Sequence, residues 1–417
     1  MGNGTSSATR HVLLFDGTWN EISDDTNIAQ IWKSLAPKGA DGCLIKPMYF
    51  NGVGVCCYEK VRGGMFGRKI SENVLKGYEY LVDVYRPGDE VFIFGFSRGA
   101  FTALMLVGYC YWCGLRSPGA NLETKNLFAR YRDATLGNYE AGNEGSLPRP
   151  CLLKRKLEGK PLSSDSLKLI EATQDMPEKW IKFVGVFDTV RSAGLEALYP
   201  RGWRGEKAET MLGKRGTLVC RYTRHLPEIV ESAYQALAID EYRAAFAERV
   251  WIVPKEKTVP ARAEQRWFAG AHANVGGGYE GDELHLIPLH WMQEKATNAG
   301  LTFKQLATPP EKPTPEQIVD SYDAFGFMGV KYRWFNRRYE RSIQAKQIGR
   351  KHNDVPSQSY KRINETIDET VLRMILRGGY KRPPLHLKQT LECISSRADD
   401  VGARLAKEAL HALPSSS

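Results

Sequence analysis

Val91-Phe92-Ile93-Phe94-Gly95-Phe96-Ser97-Arg98-Gly99-Ala100-Phe101-Thr102-Ala103-Leu104-Met105-Leu106-Val107 is the stretch whose reading decides the fold. Its first four residues are apolar and read as a buried strand. From Ala100 onward, small and apolar residues read as a buried helix. Between them stands G-x-S-x-G. A strand feeding a helix through so sharp a turn brings the two elements close together, and a side chain at Gly95 or Gly99 would clash. The turn holds its serine in a strained backbone conformation, with Oγ exposed above the sheet edge and a helix N-terminus beneath it. The five-residue pattern alone is common in ordinary loops. Its place between an apolar strand and an apolar helix makes Ser97 a candidate nucleophile.

Working outward, the same pattern of strand followed by polar loop recurs. His11 to Phe15 is an apolar run ending in Asp16-Gly17-Thr18-Trp19-Asn20. Asp24 to Thr26 caps a predicted helix through Ile28, Ile31, Trp32 and Leu35. Met48 to Val55 reads as a strand and turn. Residues 61–69, with Gly63, Gly64 and Gly67, read as a loop; they follow no strand in the dinucleotide pattern. A helix is predicted from Ser71, ending before Pro87-Gly88. Ile181 to Phe187 is a strong strand ending in Asp188. Ala233 to Phe246 reads as a helix, and Val250 to Val253 as a short strand. Arg266 to Gly270 is the last clear strand, followed by His272 and Gly276-Gly277-Gly278.

Such alternation predicts an α/β fold: an α/β-hydrolase-like, mostly parallel central sheet with helices on both faces and inserted cap segments. Residues 1–10 are expected to be a flexible N-terminus and 11–387 the hydrolase domain. Cap or lid insertions are expected at 116–178 and 195–224, and a basic helical part at 300–387. Residues 388–417 are expected to form an exposed helix and a tail.

A serine hydroxyl needs a base within hydrogen-bond reach and a third group to orient that base. In this fold class the chain order is Ser, acid, His. Ser97, Asp188 and His272 offer that order, each just past a strand, so all three are expected over one sheet edge. Of the eight histidines, His272 alone joins a strand end to a Gly-rich loop. Asp240 is the alternative acid. The oxyanion requires two backbone N–H donors. Arg98 is one candidate, and Gly17 or Thr18 the other. Asp16 is a supporting residue through its hold on that loop, with an Asx turn as the competing reading.

The chain has 417 residues and is 42% hydrophobic and 25% charged, as soluble globular proteins are. No run approaches the ~18 apolar residues of a membrane span. Met1 to Arg10 has no apolar core, so no secretory signal of the usual kind is expected. The predicted location is cytoplasmic as synthesised, with non-classical export and peripheral membrane contact as the alternative. The net charge of +10 favours anionic partners. Cys110 and Cys113 form a CxxC without a second pair or a nearby His, which reads as core packing rather than metal or redox chemistry. No metal and no cofactor is expected.

Seven ordered motifs carry a resemblance. They are Phe15 to Asn20, Gly52-Val53-Gly54, Pro87-Gly88-Asp89-Glu90, Gly95 to Ala100, Phe187 to Val190, Ala236 to Glu241, and Trp267 to Gly270 with His272 and Val275 to Tyr279. Together they resemble the uncharacterised α/β-hydrolase domain family 2235, which includes the type VI secretion lipase effectors of family 1. The resemblance runs from about His11 to about Leu385. It implies phospholipase A-type activity with a triad on Ser97, Asp188 and His272. It also implies inserted segments that touch membrane, a secreted effector, and an immunity or adaptor protein as partner. Asn274 stands where an Asp is common in the family, and Gln235 where a His is common.

The expected function is therefore a serine lipid hydrolase acting on a phospholipid or other acyl ester at an anionic membrane surface. A soluble carboxylesterase and a non-catalytic binding module on the same fold are the alternatives. Residues 331–362 hold ten Lys/Arg against two Asp/Glu, interleaved with aromatics. That stretch reads equally as a membrane-facing patch or as a solvated basic face. Nucleic acid is disfavoured as a partner, because all three triad positions are present.

Overall fold

The structure is a computed structural model. It describes residues 8–18, 20–52, 63–135, 147–190, 224–243, 246–254, 262–324, 326–327, 330–331, 338–341, 343, 360–378, 380, 387, 391–392 and 401–412. The strands are β1 (Thr9–Phe15), β2 (Leu44–Phe50), β3 (Glu90–Phe96), β4 (Ile181–Phe187), β5 (Val230–Ala238), β6 (Ile252–Pro254), β7 (Ala263–Phe268), β8 (Gly326–Phe327), β9 (Val330–Lys331), β10 (Tyr360–Arg362) and β11 (Glu365–Ile367). The helices are α1 (Asn27–Ser34), α2 (Gly63–Val84), α3 (Arg98–Cys113), α4 (Thr124–Thr135), α5 (Arg149–Leu157), α6 (Ser164–Glu171), α7 (His272–Gly276), α8 (Leu286–Asn298), α9 (Ser321–Ala324), α10 (Glu369–Leu376) and α11 (Val401–Ala412).

Seven strands form one sheet in the order β11-β7-β5-β4-β3-β1-β2, and every pairing in it is parallel. Parallel sheets are buried on both faces, which explains why β1, β3 and β4 carry continuous apolar runs. Along β1, Leu13 and Phe15 enter the core with α2 and α3, while Val12 and Leu14 enter the core on the opposite face. Along β3, Val91 and Ile93 take the first face and Phe92, Phe94 and Phe96 the second. This is the expected α/β-hydrolase-like fold, a parallel sheet with helices on both faces.

Several local expectations are corrected. Ala233 to Phe246 is not a helix, because Val230–Ala238 is a central strand of the sheet. Its Ala, Leu and Gln residues favour a helix locally, but burial between β4 and β7 overrides so weak a preference. The glycines at 63, 64 and 67 begin a 22-residue helix rather than sit in a loop. Arg266 to Gly270 does not hold the last strand: Glu365–Ile367 pairs parallel with β7 at the sheet edge. Three residues, two of them polar, leave no periodic signal. The 300–387 part is accordingly mixed, with β8 to β11 beside α9 and α10. The last helix is not an exposed appendage either; Ala406 and Ala409 of α11 are fully buried in the core that holds α10.

The expected cap at 116–178 also sits elsewhere in its described parts. Tyr109 Oη donates to Thr124 O at 3.0 Å, Gln174 N to Leu115 O at 2.8 Å, and Arg149 Nε to Thr173 Oγ1 at 2.6 Å. Tyr109 lies in the C-terminal half of α3 and Leu115 two residues past its end, while Arg149 and Thr173 join α5 to the segment after α6. Sixteen residues of helix at about 1.5 Å rise each lie between Ser97 and that end. So α4 to α6 buttress the far end of the elbow helix. The expected insertion at 195–224 lies outside the described residues except for Arg224. Cys110 and Cys113 are buried free thiols in α3, with Cys113 pushed up to about 12 by burial. No described helix is long and apolar enough to cross a membrane.

Candidate active site

The site lies at the carboxyl ends of the strands, where open parallel sheets bind ligands. Ser97 follows β3, Asp188 follows β4, Asp16 follows β1, and His272 opens α7 shortly after β7. The sheet ladder runs one residue past the strands: Ser97 N donates to Phe187 O at 2.9 Å, and Asp188 N to Ala236 O at 2.7 Å. That extension sets the heights of the two candidate residues relative to each other.

Ser97 has φ 58° and ψ −121°, in the left-handed half of the map that a β-carbon disfavours. The glycines around it answer to close approach. A Cβ on Gly95 would stand 2.6 Å from Ala100 Cα, and one on Gly99 would stand 2.2 Å from Phe15 O. Asp188 also has a positive φ, 40°.

Ser97, His272 and Asp188 meet in one chain of hydrogen bonds. Ser97 Oγ and His272 Nε2 are 2.7 Å apart, and His272 Nδ1 and Asp188 Oδ2 are 2.5 Å apart. The imidazole lies between the rings of Phe96 and Phe246, each 4.8 Å away centroid to centroid. All three polar residues are buried, Asp188 completely, so Ser97 is covered rather than exposed as the turn alone predicts. Burial holds His272 below the usual histidine range, against the opposing pull of Asp188 and Glu241. Burial alone would raise Asp188, but the charge of Arg341 and the hydrogen bond with His272 hold it well below the usual carboxylate range.

Two ion pairs flank the imidazole that sequence reasoning did not anticipate. Arg341 reaches Asp188 with both guanidinium nitrogens, Nη1 to Oδ1 at 2.5 Å and Nη2 to Oδ2 at 2.9 Å. Glu241 accepts from the His272 backbone N–H at 3.3 Å and from Ser321 Oγ at 2.9 Å, and it pairs with Arg243 at 2.7 Å. Arg341 lies in a basic run that carries no signal of a buried cation. Glu241 lies in a motif noted for its resemblance alone.

The loop after β1 is pinned by Asp16. Its carboxylate accepts from Gly17 N at 2.6 Å, from Thr26 Oγ1 at 2.7 Å and from Tyr49 Oη. Thr26 is also the N-cap of α1, accepting from Ala29 N. Burial lifts the Asp16 carboxyl to about 6 despite these donors. Gly17 N–H is thereby occupied, whereas Thr18 Oγ1 is a buried atom without a hydrogen-bond partner among the described residues. Arg98 opens α3 beside Ser97, with its side-chain pKa lowered to about 10 by burial. Among the described residues no group of three or more His, Cys, Asp or Glu is placed to hold a metal ion.

The family model described as "T6SS, Phospholipase effector Tle1-like, catalytic domain" matches residues 9–295, which hold every residue of this site except Ser321 and Arg341. The chain belongs to this Tle1-like family. A protein of Saccharomyces cerevisiae described as uncharacterized protein YEL023C is 26% identical over 215 residues, covering 47% of this chain and 29% of that protein. Among solved structures, the Tle1 effector bound to the VgrG spike of a type 6 secretion system has a TM-score of 0.33 at 16% identity, covering 67% of this chain and 53% of that one. An uncharacterized protein from Pseudomonas aeruginosa has a TM-score of 0.37 at 16% identity, covering 98% and 60%. Thermogutta terrifontis esterase 2 phosphoramylated by tabun has a TM-score of 0.34 at 13% identity, covering 70% and 84%. The chain thus spans less than two thirds of the yeast protein and of the Tle1 effector chain.

Within this Tle1-like domain the two unusual residues have structural partners. Asn274 Oδ1 accepts from Ala271 N and Val319 N, both at 3.1 Å, and its Nδ2 donates to Gln317 O. An Asp there would lose the last bond. Gln235 Oε1 accepts from Thr189 Oγ1, while its Nε2 donates to Arg249 O and Gln265 Oε1. Asp240, the alternative acid, accepts from Gly270 N at 2.7 Å and from the hydroxyls of Tyr242 and Tyr380, not from His272. Of the basic stretch 331–362, Arg338 lies over the Tyr242 ring and Tyr339 Oη reaches Glu248. These two residues are half-buried against the protein; most of the stretch lies outside the described residues.

Proposed function

We propose that the domain is a serine acyl-ester hydrolase of phospholipase A type. The observation that carries this reading is the unbroken hydrogen-bond chain from Ser97 Oγ through His272 to Asp188. His272 Nε2 takes the Ser97 proton as Oγ attacks the acyl carbonyl, and an acyl-enzyme forms as the lysolipid alcohol leaves with that proton. Water then repeats the sequence and releases the fatty acid. Asp188 fixes the tautomer with Nδ1 protonated. The backbone N–H groups of Arg98 and Thr18 are the oxyanion donors this reading assigns, since Gly17 N–H is spent on Asp16. Membership of a family described as phospholipase effectors supports phospholipid over a soluble ester. The net charge of +10 supports work at an anionic membrane. The description of the family as type VI secretion effectors supports export as an effector, with a secretion-apparatus protein as partner.

Mass spectrometry of products from phosphatidylglycerol and phosphatidylethanolamine vesicles tests this. Wild type is expected to release fatty acid and lysolipid, and Ser97→Ala neither. Cleavage of short soluble esters with none of vesicle phospholipid would replace the lipase reading with the esterase one.

A further inference from the structure

We propose that Arg341 is a positioning residue of the hydrolytic site, one whose guanidinium clamps both oxygens of Asp188 and so fixes the carboxylate that orients His272. The inference rests on the hydrolase reading of Ser97, His272 and Asp188. Arg341 and Asp188 are each 0% exposed at the side chain. The fork is held in turn by backbone: Nη1 donates to Ala238 O at 2.8 Å, and Nη2 to Phe246 O at 2.6 Å. Ala238 ends β5 and donates its own N–H to Asp188 Oδ1 at 3.0 Å, while the Phe246 ring packs against His272. One side chain therefore ties together the acid, the strand end beside it and the wall of the imidazole pocket. A planar fork matches a carboxylate in this way and a lysine ammonium does not.

The clamp has an electrostatic consequence. A lone buried carboxylate strongly favours an imidazolium beside it, but a carboxylate already paired with a cation favours it less. His272 faces Ser97 and Asp188 through its ring and Glu241 through its backbone. Glu241 is itself paired with Arg243, and Glu248 also acts on Arg341. With both flanking acids neutralised by arginines, His272 stays a neutral base into mildly acidic solution. Removing the Arg341 charge leaves Asp188 uncompensated, so the imidazolium becomes easier to form and the acid limb of activity moves to higher pH.

The test follows kcat/KM against pH on a short soluble ester, together with NMR titration of isotope-labelled His272, for wild type, Arg341→Met and Arg341→Lys. Arg341→Met is expected to lower kcat more than KM, and to move the acid-limb midpoint and the His272 titration upward together by about one pH unit. Arg341→Lys is expected to restore the midpoint while leaving kcat about tenfold low, because a point cation keeps the charge and loses the fork. Should the methionine variant not fold, the lysine variant decides: wild-type activity at every pH overturns the proposal. Equal losses at all pH values in both variants, with the His272 titration unmoved, reduce Arg341 to a packing role and also overturn it. If no protein hydrolyses any ester yet the titration moves as expected, the hydrolase reading fails while the clamp stands.

Discussion

Gly99 lies directly on Phe15: a β-carbon at Gly99 would sit 2.2 Å from Phe15 O and 2.3 Å from Asp16 O, both backbone atoms. Neither can rotate away, so the end of β1 and the start of α3 would have to separate. Overpacking commonly costs about 1–3 kcal/mol, and a clash against backbone belongs at the upper end. Gly99→Ala is therefore expected to lower Tm by several degrees and to lower activity further, since the loop carrying Asp16 to Thr18 moves with β1. Thermal melts beside kcat/KM check this; a variant with wild-type Tm and activity contradicts the close-approach account.

Ser97 should respond in two opposite ways. Ser97→Ala removes the proposed nucleophile and is expected to lower turnover by about 10⁴-fold or more. Ser97→Gly removes it equally but also relieves a φ of 58°, at which a β-carbon costs about 1–2 kcal/mol. The glycine variant is expected to be inactive and as stable as the alanine variant or more so. Chemical denaturation of both, beside labelling by a fluorophosphonate probe, separates the two effects; a less stable glycine variant contradicts the strain.

How legible this site was depends on how local its causes are. The elbow, the strand ends and the order of Ser97, Asp188 and His272 rest on short-range patterns, an apolar run followed by a polar residue. Strand β5 was misread because Ala233 to Ala238 carries helix-favouring residues, and only the neighbouring strands make it extended. Strand β11 is too short for periodicity. Arg341 was invisible for another reason. It stands 153 residues from Asp188 in a run of exposed-looking cations, and nothing about it before folding separates it from Arg337 or Arg338.

Asp16 provides a pH prediction of definite sign. Its folded pKa is raised to about 6, above an unfolded value near ~3.9. A raised pKa means that its stabilising contribution is full below the unfolded value and is lost as pH rises through about 6. The neutral isostere Asp16→Asn is expected to remove that loss and to gain on the order of 2–3 kcal/mol at pH 8 relative to pH 4. Urea denaturation of both proteins at the two pH values checks it. A double difference near zero, or of opposite sign, would show that Asp16 ionises normally in the fold.

His272 carries the opposite linkage. Its folded pKa is depressed by burial, so as pH falls below the unfolded value near ~6.5 the unfolded chain takes up a proton before the native protein does. Stability from this group is therefore lost toward acid, while the proposed base stays neutral and competent below that value. The acid limb of kcat/KM is expected below pH ~6.5. A limb at or above that value would mean that the neighbouring acids, not burial, govern the imidazole.

Asp188 and Asp240 can be told apart by their amides. Asp188 accepts from His272, from Ala238 N and from both arms of Arg341. Asp188→Asn presents the imidazole with the wrong polarity and faces Arg341 with a neutral amide, so it is expected to cost about 10⁴-fold in kcat. It should also cost stability, because a buried arginine then loses its counter-ion. Asp240 spends its carboxylate on Gly270 N, Tyr242 and Tyr380, and burial raises its pKa. An amide oxygen still serves Gly270, and a tyrosine hydroxyl can turn from donor to acceptor. Asp240→Asn is therefore expected to keep activity within about tenfold of wild type, a loss through the placement of His272 rather than through its chemistry. Side-by-side kcat values for the two variants decide which aspartate works with the histidine: a larger loss at Asp240 than at Asp188 would transfer the role of the acid to Asp240.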